Sequence, residues 1–436
     1  MNLTNISKFI ISFFIKHKCI NEYKLSLKTK KVFKNLYDDI FNADLYLKNL
    51  KINSKMDLVK IKQIKNSQQI TKPTTFEYNA FPSIINKYID KNIKYEIEYN
   101  FNILNRKITI YFFIEENKTE ININQFNKYV DNILIWFIIL NKYSSKKCAQ
   151  RIKLYLYFTD LKKKIPLKSD TILNENNANT AFTYSCPINI NSEIVIYRKE
   201  EWFKVLIHET FHNFGLDFSD INNEECNNEI RKLFAVKSEI NIYEAYNEFW
   251  AKIINILFCS YINLNDKKDF NDFLLNSKNL LNFEINYNCF QMIKVLDYMN
   301  LSYKQLYNQN KYHSDLRNKY YKEKTNILSY YVITFILLNN YNSFIEWCSN
   351  NNLSLLQFNN SLNNQLLLCQ FIKSKYKSNN LLDNINCVNK FYTKIKKQRN
   401  LLRDSYNYNL NPNKNINYKE LNYILNNMRM SICEIN

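Results

Sequence analysis

Glycine is almost absent: the chain of 436 residues holds one, Gly215, beside five prolines and four histidines. Asn, Ile, Lys, Tyr and Phe are abundant instead, the imprint of an AT-rich genome on codon use. Arginine is scarce as well. Sixty basic residues face 40 acidic ones for a net charge of +20, yet only eight are Arg, the better bidentate reader of phosphates and bases. The excess is therefore weak ground for a nucleic-acid-binding function, and much of it is mutational bias. It is uneven all the same: residues 1–75 carry fifteen Lys against five acids. This stretch reads first as a solvated basic arm and second as an arm that contacts nucleic acid or another anionic surface.

The ten cysteines include no CxxC pair. Scattered cysteines without a secretory signal predict reduced, mostly buried thiols of an intracellular, cytoplasmic protein. Long apolar runs are missing too. Phe9 to Ile15 is too short for a signal core. Ile327 to Leu338, broken by Ser329 and Thr334, falls short of the roughly 20 residues that cross a bilayer. Neither a signal peptide nor a membrane span is expected.

What is present reads as an α+β chain. Residues 1–72 form a Lys-rich, mainly helical N-terminal region that ends at Lys72-Pro73. Between 94 and 114, Tyr95, Ile97, Tyr99, Phe101 and Ile103 alternate with polar residues. Ile108, Ile110, Phe112 and Ile114 do the same after a turn at Asn105-Arg106, which predicts a β-hairpin with one buried face. Phe126, Val130, Ile133, Phe137 and Leu140 recur at helical spacing over 124–141. Strands are expected at 152–158, 181–185 and 193–198, and a helix over 199–214 with Glu200 and Glu201 at its start. Beyond 220 the apolar pattern is helical, over about 242–262, 269–300, 325–348, 353–375, 380–400 and 417–432, without convincing strands. The predicted organisation is an α+β lobe over 73–220, with a mixed sheet and one central helix, followed by a helical lobe over 221–436.

Two of the four histidines stand in His208-Glu209-Thr210-Phe211-His212. On a helix, positions i and i+4 share a face, so both imidazoles can reach one Zn²⁺ while Glu209 projects beside it as a base for its water. The lead-in Lys204-Val205-Leu206-Ile207 brings the apolar bulk of a helix buried beneath a cleft. Gly215, three residues on, marks a left-handed turn where the helix ends. A catalytic zinc needs a third protein ligand and an open position.

The motif resembles that of zincin metallopeptidases. Phe218 occupies the metzincin ligand position and excludes that branch. Glu244-Ala245-Tyr246-Asn247-Glu248-Phe249-Trp250-Ala251 resembles the third-ligand helix of gluzincins. The resemblance implies a zincin-like lobe, one Zn²⁺ held by His208, His212 and Glu248, and Glu244 either orienting a histidine or ligating in place of Glu248. Lys252 stands where thermolysin-type enzymes carry an acid, which favours Glu244 for the orienting duty. The family further implies a donor to the oxyanion from the later helices, with Tyr330, Tyr331 and His313 as candidates, and a strand that pairs with substrate backbone, placed at Asn179–Thr183. Cys186 could serve as a thiolate ligand of a deformylase-like site, but the glycine-rich flanking motifs of those enzymes are absent, and a buried thiol is expected. The wider run from Tyr197 to Ser219 also resembles uncharacterised proteins of large DNA viruses, which implies a viral protein of the host cytoplasm or the virion.

The expectation is a zinc peptidase acting on peptide or protein substrates, with Glu209 as general base. The competing expectation is a basic nucleic-acid- or virion-associated binding protein whose zinc site is structural or vestigial.

Overall fold

The computed structural model describes residues 3–17, 22–53, 59–77, 80–117, 119, 121–168, 170–188, 191–407 and 418–435. Cys19 and part of the Lys-rich region lie outside them. The elements in chain order begin α1 (Asn5–Lys16), α2 (Leu27–Asn53), β1 (Lys60–Gln63), α3 (Ser83–Asn92), β2 (Tyr95–Ile103), β3 (Arg106–Ile114), α4 (Ile123–Tyr143), β4 (Arg151–Phe158), α5 (Glu175–Ala178), β5 (Ala181–Thr183), β6 (Ser192–Ile196) and α6 (Trp202–Asn213). Helices follow: α7 (Glu224–Leu233), α8 (Ile242–Ile262), α9 (Phe270–Tyr298), α10 (Tyr303–Tyr307), α11 (Lys311–Tyr320), α12 (Thr334–Asn339), α13 (Tyr341–Asn351), α14 (Leu362–Lys375), α15 (Asn379–Asn407) and α16 (Tyr418–Asn426). The fold is α+β, with one open mixed sheet of order β1-β2-β3-β4-β6-β5. β3, β4 and β6 run parallel at its centre. β1, β2 and β5 are antiparallel to their neighbours.

The alternation in the hairpin sets its register. Ile97 faces Phe112, Tyr99 faces Ile110 and Phe101 faces Ile108. The turn sits one residue earlier than Asn105-Arg106, because Leu104 and Asn105 both take positive φ (50° and 62°), the two-residue geometry whose twist matches that of paired strands. Leucine is a poor marker of such a position, so the sequence pattern missed it.

One face of the sheet, through Phe112, Leu154, Leu156, Ile194 and Ile196, joins a single apolar cluster that continues through α4, α6, α8 and α9. The other face, with Phe113, Tyr155, Tyr157, Val195 and Tyr197, is covered by Ile85 and Ile89 of α3. The Lys-rich N-terminal residues belong to the same body. Phe13 and Phe14 of α1 pack on Phe391, and Phe14 also on Phe290. Val32, Phe33, Leu36, Tyr37 and Ile40 of α2 are buried, and β1 pairs with β2.

Three other expectations change. Two cysteine pairs are disulfides, Cys148–Cys186 and Cys226–Cys369, rather than reduced thiols; sequence separations of 38 and 143 gave no hint that the Cβ atoms meet. The helix expected over 199–214 starts only at Trp202, because Glu201 is left-handed (φ 60°) and turns its carboxylate away from the helix end. The stretch 417–432 is helical only to Asn426. Residues 427–435 then run buried without regular structure, and other side chains satisfy their backbone: Glu201 accepts from Met430 and Ser431, Glu284 accepts from Ile432, and Tyr331 donates to Met428 O. Among the described residues no helix is long and apolar enough to cross a membrane.

Candidate metal centre

Helix α6 is buried along Trp202–Phe211. The Trp136 indole secures its far side by donating to Thr210 Oγ1 at 2.8 Å. Its cleft side carries His208 and His212, one turn apart, with ring centroids 5.3 Å from each other. The helix ends as the lone glycine implies. Gly215 takes φ 65°, its N–H donates to His212 O and that of Leu216 to Phe211 O, so the last carbonyls are satisfied by a left-handed turn. The reversal brings Asp217 back beneath His212.

Helix α8 packs across α6 and supplies Glu244 from its first turn, where the helix dipole favours a negative charge. Glu244 Oε2 lies 3.0 Å from His208 Nε2 and 3.7 Å from His212 Nε2. Asn326 steadies the other oxygen at 3.2 Å. The outward nitrogens meet carboxylates of their own. Asp217 Oδ2 is 2.5 Å from His212 Nδ1 and accepts from Asn247 at 2.6 Å. Glu248 Oε2 is 3.1 Å from His208 Nδ1, at ion-pair distance though off the hydrogen-bond direction. Both rings thus present Nε2 to one point and Nδ1 to a carboxylate. His208, His212 and Glu244 offer donor atoms within 4.8 Å of one another, and this buried group could hold a metal ion.

The charge balance follows from these contacts. Burial opposes the imidazolium of His208, but Glu244 and Glu248 outweigh it and hold its pKa at about 9. Burial opposes the charged His212 in the same way, and Asp217 prevails. Burial acts against the Glu244 carboxylate too, and the two histidines keep it well below the usual range. Glu209 differs: burial pushes its carboxyl up, and it accepts no hydrogen bond from a described residue.

Of the two glutamates expected as ligand or orienting group, Glu244 is the one in the donor cluster. Glu248 receives hydrogen bonds from Lys204 at 2.8 and 3.0 Å. It also lies 3.3 Å from Lys252 Nζ.

A cleft with ≈30 Å³ of free space opens here, lined by Glu209, His208 and Val205 of α6, by Thr180 and Ala181 entering the edge strand β5, and by Lys163, Lys204, Tyr330 and Met430. Tyr330 stands on a π-helical turn, Leu328–Ile333, its ring 6.1 Å from that of His208. Burial, with Glu244 nearby, keeps its hydroxyl protonated. Tyr331 does not line the cleft and spends its hydroxyl on Met428 O at 2.8 Å. His313 lies on α11 beside Tyr312, also outside the cleft lining. Cys186 is bonded to Cys148, and its N–H donates to His212 O at 3.1 Å, so it braces the end of α6.

The sequence reading missed Asp217 as a partner of His212, although Gly215 two residues earlier signalled the reversal that delivers it. It missed Lys204, whose signal was a charge inside an apolar run. Met430 and Lys163 gave none, since their approach depends on the fold of the whole chain. No protein-family model, curated protein or solved structure matches the chain.

Proposed function

We propose that the chain is a zinc-dependent peptidase in which His208, His212 and Glu244 hold the metal, Glu209 is the general base and Tyr330 donates to the developing oxyanion. The observation that carries this reading is the paired orientation of the histidines, each Nε2 turned to Glu244 Oε2 and each Nδ1 backed by a carboxylate. Outer carboxylates of this kind fix tautomer and ring direction for metal ligation. Two imidazoles and one carboxylate form a donor set suited to zinc with an open position. A zinc ion bound there supplies Lewis acidity and acidifies water.

The other functions belong to the chain itself. Glu209, in the cleft and free of hydrogen bonds from described residues, is placed to take a proton from water. Burial raises its pKa towards the working range of a base that must also return the proton to a leaving amine. Tyr330 keeps its proton and so serves as a donor where negative charge develops. β5 ends the sheet beside the cleft, an edge on which an extended peptide can add as a strand.

Metal analysis and peptide-library cleavage on the wild type, Glu209→Gln and His208→Ala test this reading. One equivalent of zinc is expected in the first two, and cleavage only in the wild type. Zinc retained by His208→Ala, or a zinc-loaded wild type that cuts no peptide, defeats it.

A further inference from the structure

We propose that Lys204 is a positioning residue of this site: by clamping the Glu248 carboxylate it fixes the ring of His208 in the direction that ligation needs. The inference rests on the reading of His208, His212 and Glu244 as the metal-holding group.

The two facing helices carry matched stripes at four-residue steps, Lys204, His208 and His212 on α6 against Glu244, Glu248 and Lys252 on α8. The Lys204 ammonium donates to both oxygens of Glu248, at 2.8 and 3.0 Å, and among the described residues to no other acceptor. Lys252 approaches the same carboxylate at 3.3 Å, but it also donates to Met430 O at 2.5 Å and to Asn288, so it is anchored elsewhere. Lys204 is therefore the dedicated partner.

Its setting is costly. Lys204 is 2% exposed, its helix neighbours Phe203, Val205, Leu206 and Ile207 are buried and apolar, and its charge is felt by Glu201 and Glu284 as well as by Glu248. A charged ammonium there is penalised unless paired, and an apolar side chain of similar volume commonly packs as well or better. What it achieves is local to the site. A carboxylate gripped at both oxygens is held 3.1 Å from His208 Nδ1, and this ion-pair contact favours the ring direction that keeps Nε2 on Glu244. With Lys204 removed, Glu248 keeps only the longer contact to Lys252, and the ring loses its fixed backing.

The test measures Zn²⁺ affinity by competition with a chromophoric chelator, and the visible spectrum of the Co²⁺-loaded protein, on the full-length wild type, Lys204→Met, Lys204→Arg, Glu248→Gln and the double variant Lys204→Met/Glu248→Gln. Removing a group that orients a ligand weakens metal affinity by roughly 10–100-fold; that loss and an altered Co²⁺ spectrum are expected for Lys204→Met, with recovery in Lys204→Arg. In the Glu248→Gln background the same substitution should change affinity by less than about threefold, because its route to His208 is already cut. Should Lys204→Met not fold, Lys204→Gln, which keeps a neutral donor, makes the same comparison. Unchanged affinity and spectrum in a folded Lys204 variant, or losses that multiply in the double variant, overturn the proposal. A wild type that binds no metal overturns instead the site reading on which it rests.

Discussion

Single residues carry most of the site's logic, and adjacent ones divide sharply. Tyr330 and Tyr331 are neighbours in sequence, yet one lines the cleft and the other bonds Met428. On the proposed peptidase reading, Tyr330→Phe should lower kcat by about 10²–10³-fold, the usual cost of an oxyanion donor, with little change in melting temperature. Tyr331→Phe should leave kcat alone and cost about 1 kcal/mol of stability for its lost hydrogen bond; steady-state kinetics and thermal melts on the pair separate the two. Gly215 is equally specific. A Cβ there meets Cys148 Sγ at 3.3 Å and Cys186 Cβ at 3.4 Å, on backbone with φ 65°. Gly215→Ala should cost at least about 1–2 kcal/mol from the left-handed conformation alone, and it should lower zinc occupancy because the turn places Asp217 under His212; urea melts and metal analysis check both. Sequence made His208, Glu209, His212 and Gly215 legible because helical spacing and a lone glycine speak locally. It placed the ligand at Glu248 with Glu244 as the alternative, whereas Glu244 is the one in the donor cluster; the two share a helix face, and Glu248 is taken up by Lys204, which only the fold brings near.

At the level of elements, periodicity was informative wherever one face of an element meets the core. The hairpin, α4, β4, α8 and α9 stand close to their expected places because alternation or helical spacing records burial directly. Elements buried on all sides gave less. The expected helical stretch 325–348 is broken into a π-helical turn, α12 and α13, and only the first of these carries a cleft residue. The disulfide Cys148–Cys186 was invisible to spacing, yet it ties the loop after β5 to the one before β4, directly against Gly215. Chain-entropy reasoning for a separation of 38 residues gives about 4 kcal/mol of stabilisation. A Cys148→Ser/Cys186→Ser variant should lose stability of that order in urea melts. Because Cys186 N–H also holds His212 O, hydrogen exchange should quicken at the end of α6 before it does in α8. Equal protection of both helices in the variant would show that the bridge braces the fold without bracing α6.

Across the whole molecule, ionisable side chains are buried at the junction where α6, α8, α9 and residues 427–435 meet. Lys163, Glu201, Lys204, Glu248, Lys252, Glu284 and Arg429 are each at most 2% exposed. Such a network is stable only while every charge has its partner, since an unpaired buried ion costs far more than a matched pair returns. Glu201 lies at its centre. It pairs with Lys163, accepts the N–H groups of Met430 and Ser431, and donates its own N–H to Glu434 Oε1 at 2.7 Å. Burial works against its carboxylate, but Lys163, Lys204 and Arg429 overcome that and bring its pKa down to about 2 from an ordinary 4.5. The sign follows: a folded pKa below the unfolded one gives stability that is fully present above pH 4.5 and is lost as pH falls towards 2. Glu201→Gln should therefore destabilise the protein by about 3–5 kcal/mol at neutral pH, the cost of leaving buried cations unpaired. The penalty should shrink steadily below pH 4.5, where the wild type protonates the same group on unfolding. Urea melts of both proteins between pH 7 and pH 3 measure the difference directly. A gap between wild type and variant that stays constant across that range would mean that Glu201 is held by its hydrogen bonds to the chain's last residues and not by the cations around it.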